Sequence, residues 1–389
     1  MIEGKATLVV DLGNSETRVL AQYGRTTKGK VRQRLASVSN QFADLPEGYE
    51  IPETYTSEDS VVFSSGGINY ANGFIVEREF AVQALRPTAL EKKYQTLTTT
   101  LAFQRALLEG YKLVADIMKV STSEVEVSWD VVVMLPPADL KQGAAKLAET
   151  LKSIKTLDVI MPEFNREVKI DSVKVLPEGF SAFVGTLFTK GADIRDGYAY
   201  LADSSVLVID IGAGTTDFCV IKGSSVIEET KDSVEIGGNN IHQRVRKELK
   251  LQGLSLPDSE VRASVVSGTL KDGAKTLDIK EVIESAKTAV ANSIVSTIKD
   301  YFEASQFPIR TIEYLLVVGG GTLKGTDPEI RPISEHLVSY LKKLSANIEL
   351  VGLPTDAVET DTGEVVNSEV SPRHLNILGA AVLGGLKNL

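Results

Sequence analysis

Two carboxylates that stand just before glycine turns are the residues best placed to do chemistry. Within residues 206–221, VLVIDIGAGTTDFCVI, an apolar run ends in Asp210, Gly212 and Gly214 make a turn, and Phe218 opens a second apolar run. Near the N-terminus, residues 8–12 repeat the arrangement: an apolar run carries Asp11, Gly13, Asn14 and Ser15 follow, and residues 17–21 return. Glycine permits tight turns and close approach of a ligand to the backbone. Successive N–H groups in such a turn form an anion nest. A carboxylate beside that nest suits a hydrated Mg²⁺ held against phosphate. Either stretch alone equally fits an ordinary surface hairpin. The repetition half a chain apart points instead to two related halves that clamp one nucleotide.

Other residues offer chemistry on weaker grounds. Arg18 lies on the first return strand, either reaching toward phosphate or as a solvated charge. Glu178 precedes a helix expected over residues 180–188, where the helix N-terminus favours negative charge whether or not the residue has a further role. Gly237-Gly238-Asn239-Asn240 fits close approach to a sugar, and equally a helix-capping turn. Glu284 and Lys287 are one helical turn apart, the spacing of an exposed ion pair. Gly319-Gly320-Gly321-Thr322 directly follows an apolar strand, with Lys324 shortly after; glycines there leave room for a flat ring, or form a plain loop.

Strands and helices alternate through the elements that must hold these residues. Residues 102–118, 139–154, 279–301, 328–344 and 375–386 carry helical spacing. Residues 131–135, 168–176, 226–230, 314–318 and 348–351 read as strands, and 60–64 and 73–76 as strand-like runs. Asp139 is expected to cap the helix after it. Residues 24–95 are irregular, with a basic cluster (Lys28, Lys30, Arg32, Arg34) ahead of a polar loop over 45–60, and 355–371 is a second polar loop. Gly379, Gly384 and Gly385 are expected to let the last helix pack closely on a neighbour. This is an α/β architecture.

Composition narrows the field. The 389 residues suffice for two domains with cores of their own, and 43% apolar with 24% charged content is that of a soluble globular protein. A formal net charge of −10 argues against a broad nucleic-acid surface. The single cysteine, Cys219, excludes an intrachain disulfide and fits a reducing compartment. The start MIEGKATLVV lacks the features of a signal peptide, no run is long enough to span a membrane, and the three histidines lack metal-ligand spacing.

Five motifs in order give the chain a resemblance to the actin, heat-shock chaperone and sugar kinase superfamily of ATPases. Residues 11–18, DLGNSETR, look like its first phosphate loop, and 210–217, DIGAGTTD, like its second. Residues 178–182, EGFSA, and 378–381, LGAA, look like the two connecting helices, and 317–322, VVGGGT, like the adenosine motif. Within the superfamily the chain is most similar to the bacterial actin-like plasmid-segregation proteins of the ParM type. Chaperones carry a further substrate-binding domain, sugar kinases a sugar pocket with a catalytic Asp, and MreB-like proteins a membrane-binding loop or tail; none of these stands out here.

The resemblance implies two related α/β domains with a nucleotide cleft between them. Domain I would span 1–185 and 375–389, with an inserted subdomain over about 25–95; domain II would span 186–374, with an insert over about 240–310. It implies a bacterial, cytoplasmic ATPase that polymerises with copies of itself and moves plasmid DNA through a DNA-bound adaptor. Direct nucleic-acid or membrane contact is not expected. Asp11 and Asp210 would hold Mg²⁺, and Glu178 would orient or activate water. Gly13, Asn14, Ser15 and Arg18, with Gly212, Ala213, Gly214, Thr215 and Thr216, would surround the phosphates. Gly238, Asn239, Glu284, Lys287, Gly320, Gly321, Thr322 and Lys324 would line ribose and base. The motifs do not separate ATP from GTP. The alternatives are a small-molecule kinase or phosphatase of the same fold and another bacterial cytoskeletal actin homologue. A dehydrogenase read from Gly212-x-Gly214 fails, because Asp217 holds the third glycine position and a strand follows where a helix is required.

Overall fold

A computed structural model describes residues 2–25, 31–56, 58–87, 92–272, 275–322, 325–345, 347–359 and 365–385. Two larger sheets repeat one plan. In the first, strand Ile2–Leu12 pairs antiparallel with Glu16–Arg25, which pairs with Val31–Ser39; on its other side it pairs parallel with Val125–Leu135, and that strand with Lys169–Pro177. In the second, Ser205–Ile211 pairs antiparallel with Thr216–Lys222 and parallel with Tyr314–Val318, which pairs with Glu349–Leu350. Each acid–glycine turn joins the two strands of its sheet's central hairpin, so the repeat read from the motifs is a repeat of topology.

Apolar residues cover both faces of each central strand, and alternation sends them into different cores. Leu8 and Val10 face a core shared with helix Leu97–Met118, while Val9 faces the other side. In the second sheet Leu207, Ile209 and Ile211 face helix Lys280–Ala304, while Val206 and Val208 face the same side as Val9. That shared core holds the two sheets together through helices Phe180–Leu187 and Leu375–Gly385, which supply Ala182, Phe183, Ala380 and Ala381.

The two helices cross at glycines. A Cβ on Gly379 would sit 1.7 Å from the Ser181 carbonyl oxygen, and one on Gly185 would sit 2.2 Å from that of Leu375. Gly384 also packs closely, against Val132, whereas Gly385 has nothing within 4 Å and does not share the expected role. Gly379→Ala is expected to destabilise the chain by about 3 kcal/mol, the upper end of overpacking costs, because backbone rather than a movable side chain stands in the way. Urea unfolding measures this.

The irregular stretch before residue 95 contains more structure than its pattern suggests. Strands Phe42–Asp44, Ser60–Ser65 and Ile68–Gly73 join the hairpin Thr156–Met161 and Phe164–Glu167 in a separate five-stranded sheet. That sheet is thus built from two segments far apart in sequence. Residues 74–76, expected to be extended, open the helix Phe74–Glu79, because Gly73 at φ 89° turns the chain. The strand expected over 226–230 stops at Val226 and gives way to a 3₁₀ turn, Glu228–Thr230. The loop expected over 355–371 is in part a ribbon, Thr355–Glu359 with Val365–Glu369. Asp139 does precede the helix Leu140–Ser153 but makes no side-chain cap; its carboxylate pairs with Lys92 at 2.6 Å instead. Lys28 and Lys30 of the basic cluster lie outside the described residues.

Candidate functional site

Both acid–glycine turns open onto one cleft of about 280 Å³, with Asp11 and Asp210 in the same wall. Gly13, Asn14, Ser15 and Arg18 line it from the first hairpin, and Gly212, Ala213 and Thr215 from the second. Gly238, Asn239, Lys287, Gly320 and Gly321 extend the wall beside the apolar side chains of Ile241, Val265 and Val266. Glu178 also faces the cleft and is 5% exposed.

Glycine is required where backbones converge. Gly319 adopts φ 92°, and a Cβ there would lie 2.5 Å from the Ile211 carbonyl oxygen; one on Gly321 would lie 2.9 Å from that oxygen and 3.0 Å from the Gly212 carbonyl oxygen. The amides of Gly238 and Asn239 donate to the carbonyls of Gly212 at 2.9 Å and Ala213 at 2.8 Å. The start of helix Gly238–Leu251 is thereby tied to the second turn.

Strand register makes the two hairpins electrostatically unlike. Asp11 stands directly opposite Arg18, whose Nη1 donates to Asp11 Oδ2 at 2.8 Å; Glu16 holds the same guanidinium at 2.9 Å. Asp210 stands directly opposite a second acid, Asp217. Burial together with the charge of Glu178 pushes Asp210 up to about 7 and Asp217 up to about 8. Asn376, at the start of helix Leu375–Gly385, donates from Nδ2 to Asp210 Oδ2 and accepts from the Gly179 N–H at 3.1 Å. Burial also raises Glu178, against the counter-charge of Lys93, whose Nζ lies 2.9 Å from Glu178 Oε1. Burial by itself would lower Lys93, but Glu178 and Asp217 outweigh it and raise it.

A site that crowds buried carboxylates in this way calls for added positive charge. Among the described residues, no three His, Cys, Asp or Glu side chains form a metal cage. That donor set fits a hydrated divalent cation such as Mg²⁺, held by one or two carboxylates and by phosphate oxygens, better than it fits a dehydrated ion in a protein cage.

The charge pattern gives a pH dependence. In the folded chain Asp210 and Asp217 keep their protons to about pH 7 and 8. In the unfolded chain each loses its proton near pH 4. The folded state therefore binds more protons between these limits, and stability falls as pH rises through that window. The slope is about 1.4 kcal/mol per pH unit for each proton held only by the fold. Thermal melts of the nucleotide-free protein should show Tm falling from pH 5.5 to pH 8.

Other motif residues stand off the cleft. Glu284 accepts from the Arg331 backbone N–H and Nε, both at 2.9 Å, and lies outside the wall. Lys287 does line the wall, but its Nζ donates to the Arg331 carbonyl at 2.8 Å, so Glu284 and Lys287 are both tied to Arg331. The hydroxyls of Thr216 and Thr322 donate at 2.6 Å to the carbonyls of Ile236 and Gly319; these threonines brace turns, and neither they nor Gly214 belong to the wall. Lys324 lies outside the described residues.

Sequence reading assigned no role to Asp217, Asn376 or Lys93. Hairpin register placed Asp217 opposite Asp210 and could have found it. Asn376 opens a helix recognised by its motif. Lys93 sits in a stretch without pattern and gave no signal.

The class this architecture defines is the actin-like fold: two sheets of one topology, coupled by crossing helices, with paired acidic turns in a shared cleft. Solved structures of that class align over almost the whole chain. An archaeal actin homologue, Ta0583, aligns at 16% identity and TM-score 0.65, covering 97% of this chain and 98% of its own. The actin-like protein Alp7A aligns at 16% identity and TM-score 0.69, covering 98% and 96%. A ParM from Clostridium botulinum, solved as a 15-stranded filament, aligns at 15% identity and TM-score 0.61, covering 98% and 99%. Residues 208–325, which hold the second turn and the triple glycine, match the C-terminal family model of the archaeal MreB-like actin homologues. No curated protein matches the chain by sequence. No helix among the described residues is long and apolar enough to cross a membrane.

Proposed function

We propose that this chain is a Mg²⁺-dependent nucleoside triphosphatase of the actin-like class whose nucleotide state controls its polymerisation. One observation carries the reading: Asp11 and Asp210, from hairpins half a chain apart, line one cleft. Two related solved structures support it, one an archaeal actin homologue in complex with ADP and the other a ParM filament.

The backbone N–H groups of the turns at Gly13–Ser15 and Gly212–Thr215 would bind phosphate oxygens. Asp11 and Asp210 would hold Mg²⁺, which when bound supplies positive charge to the phosphates. Glu178 would take a proton from the attacking water; burial raises its pKa, which makes the carboxylate a stronger base. The pocket of Ile241, Val265 and Val266 beside Gly320 and Gly321 would take the base. The protein's part is chiefly positioning and charge stabilisation. The subdomain boundaries suggested by the motifs belong to this proposal. So does a role in plasmid DNA segregation, in which a DNA-bound adaptor would make the nucleic-acid contact that a chain of net charge −10 disfavours.

Phosphate release and light scattering, followed together, test this. The chain should hydrolyse ATP and scatter light only with Mg²⁺ present. Absence of both at concentrations well above micromolar would contradict the proposal.

A further inference from the structure

Lys93 belongs to none of the phosphate or base motifs, yet it lies in the cleft wall against Glu178. Its backbone is firmly placed. The Lys93 carbonyl accepts from the Thr99 hydroxyl, Thr96 caps the helix Leu97–Met118 through the Thr99 N–H, and the neighbouring Lys92 is anchored on Asp139. The ammonium is therefore delivered into the cleft from a fixed point. It faces three acids: Glu178 at 2.9 Å, with the charges of Asp217 and Asp11 also acting on it.

We propose that Lys93 senses the terminal phosphate, exchanging its ion pair with Glu178 for one with the third phosphate of a triphosphate. This rests on the nucleotide reading of the cleft and adds a residue that distinguishes triphosphate from diphosphate. A diphosphate is held by the turn amides and Mg²⁺ and leaves the Lys93–Glu178 pair closed. A third phosphate brings new negative charge toward the ammonium, and a phosphate ion pair replaces the carboxylate one; Glu178, left without its counter-charge, becomes a stronger base. The exchange frees Glu178 to accept a proton from water. One side chain thus registers the triphosphate and unmasks the base.

Titration calorimetry with Mg²⁺ and either ADP or a non-hydrolysable ATP analogue tests the assignment. Lys93→Met should weaken the analogue by about tenfold or more, the loss expected for a charge-assisted contact. ADP affinity should stay within about twofold, and Lys93→Arg should restore most of the preference. Lys93→Met leaves Glu178 buried without its counter-charge, so the double variant Lys93→Met/Glu178→Gln provides a version with no stranded charge; it too should have lost the preference. Equal weakening of both nucleotides, or an unchanged preference, would overturn the role of Lys93 alone. Failure of the unmodified protein to bind either nucleotide would remove the nucleotide reading as well.

Discussion

Glu178→Gln is expected to slow phosphate release by about 10²–10⁴-fold, the range for loss of a positioned general base. Nucleotide affinity should hold or rise. The carboxylate is buried at the cleft and its nearest partner is an ammonium, so it does not itself bind phosphate. Glutamine keeps its shape and can still accept from Lys93, while removing the charge that competes with phosphate for that lysine. The expected pattern is a collapse of turnover with binding intact. If polymerisation follows nucleotide binding, filaments of this variant should persist after assembly. Unchanged turnover would remove Glu178 from the mechanism.

Asp210→Asn should act in two opposite directions. Mg²⁺-dependent turnover should fall by at least about 100-fold, because a carboxylate that holds the cation would be gone. The nucleotide-free protein should become more stable at pH 8. Asp210 is pushed up to about 7 by burial and by Glu178, and it stands opposite Asp217, so its ionisation is disfavoured in the folded protein without nucleotide. The amide can still accept from Asn376 Nδ2. A residue that served only to hold the fold together would lower stability and activity in the same direction. Melting temperature and phosphate release, measured on the same preparation, separate the two cases.

Much of this was legible because the informative residues are local. An acid, a glycine turn and a return strand fall within about ten positions, and the turn geometry that glycine permits needs no tertiary context. The apolar runs that carry Asp11 and end in Asp210 marked the strands leading into the turns. The separate five-stranded sheet was hidden because its strands come from residues 42–73 and 156–167, and nothing local signals that pairing. Its strands are short and interrupted by a loop. The charge network was hidden for the same reason. Lys93 and Glu178 are 85 positions apart and Asn376 and Asp210 are 166 apart, so only the fold brings them together. Glu284 shows the converse: its spacing to Lys287 suggested a local ion pair, but Arg331, 47 positions away, takes its carboxylate.

The most direct test of a shared site is a crystal structure with Mn²⁺ in place of Mg²⁺ and a non-hydrolysable triphosphate. The account predicts one anomalous peak in the cleft between Asp11 and Asp210, with phosphates in contact with both glycine turns. A metal and triphosphate bound at one turn only, or away from this cleft, would contradict it.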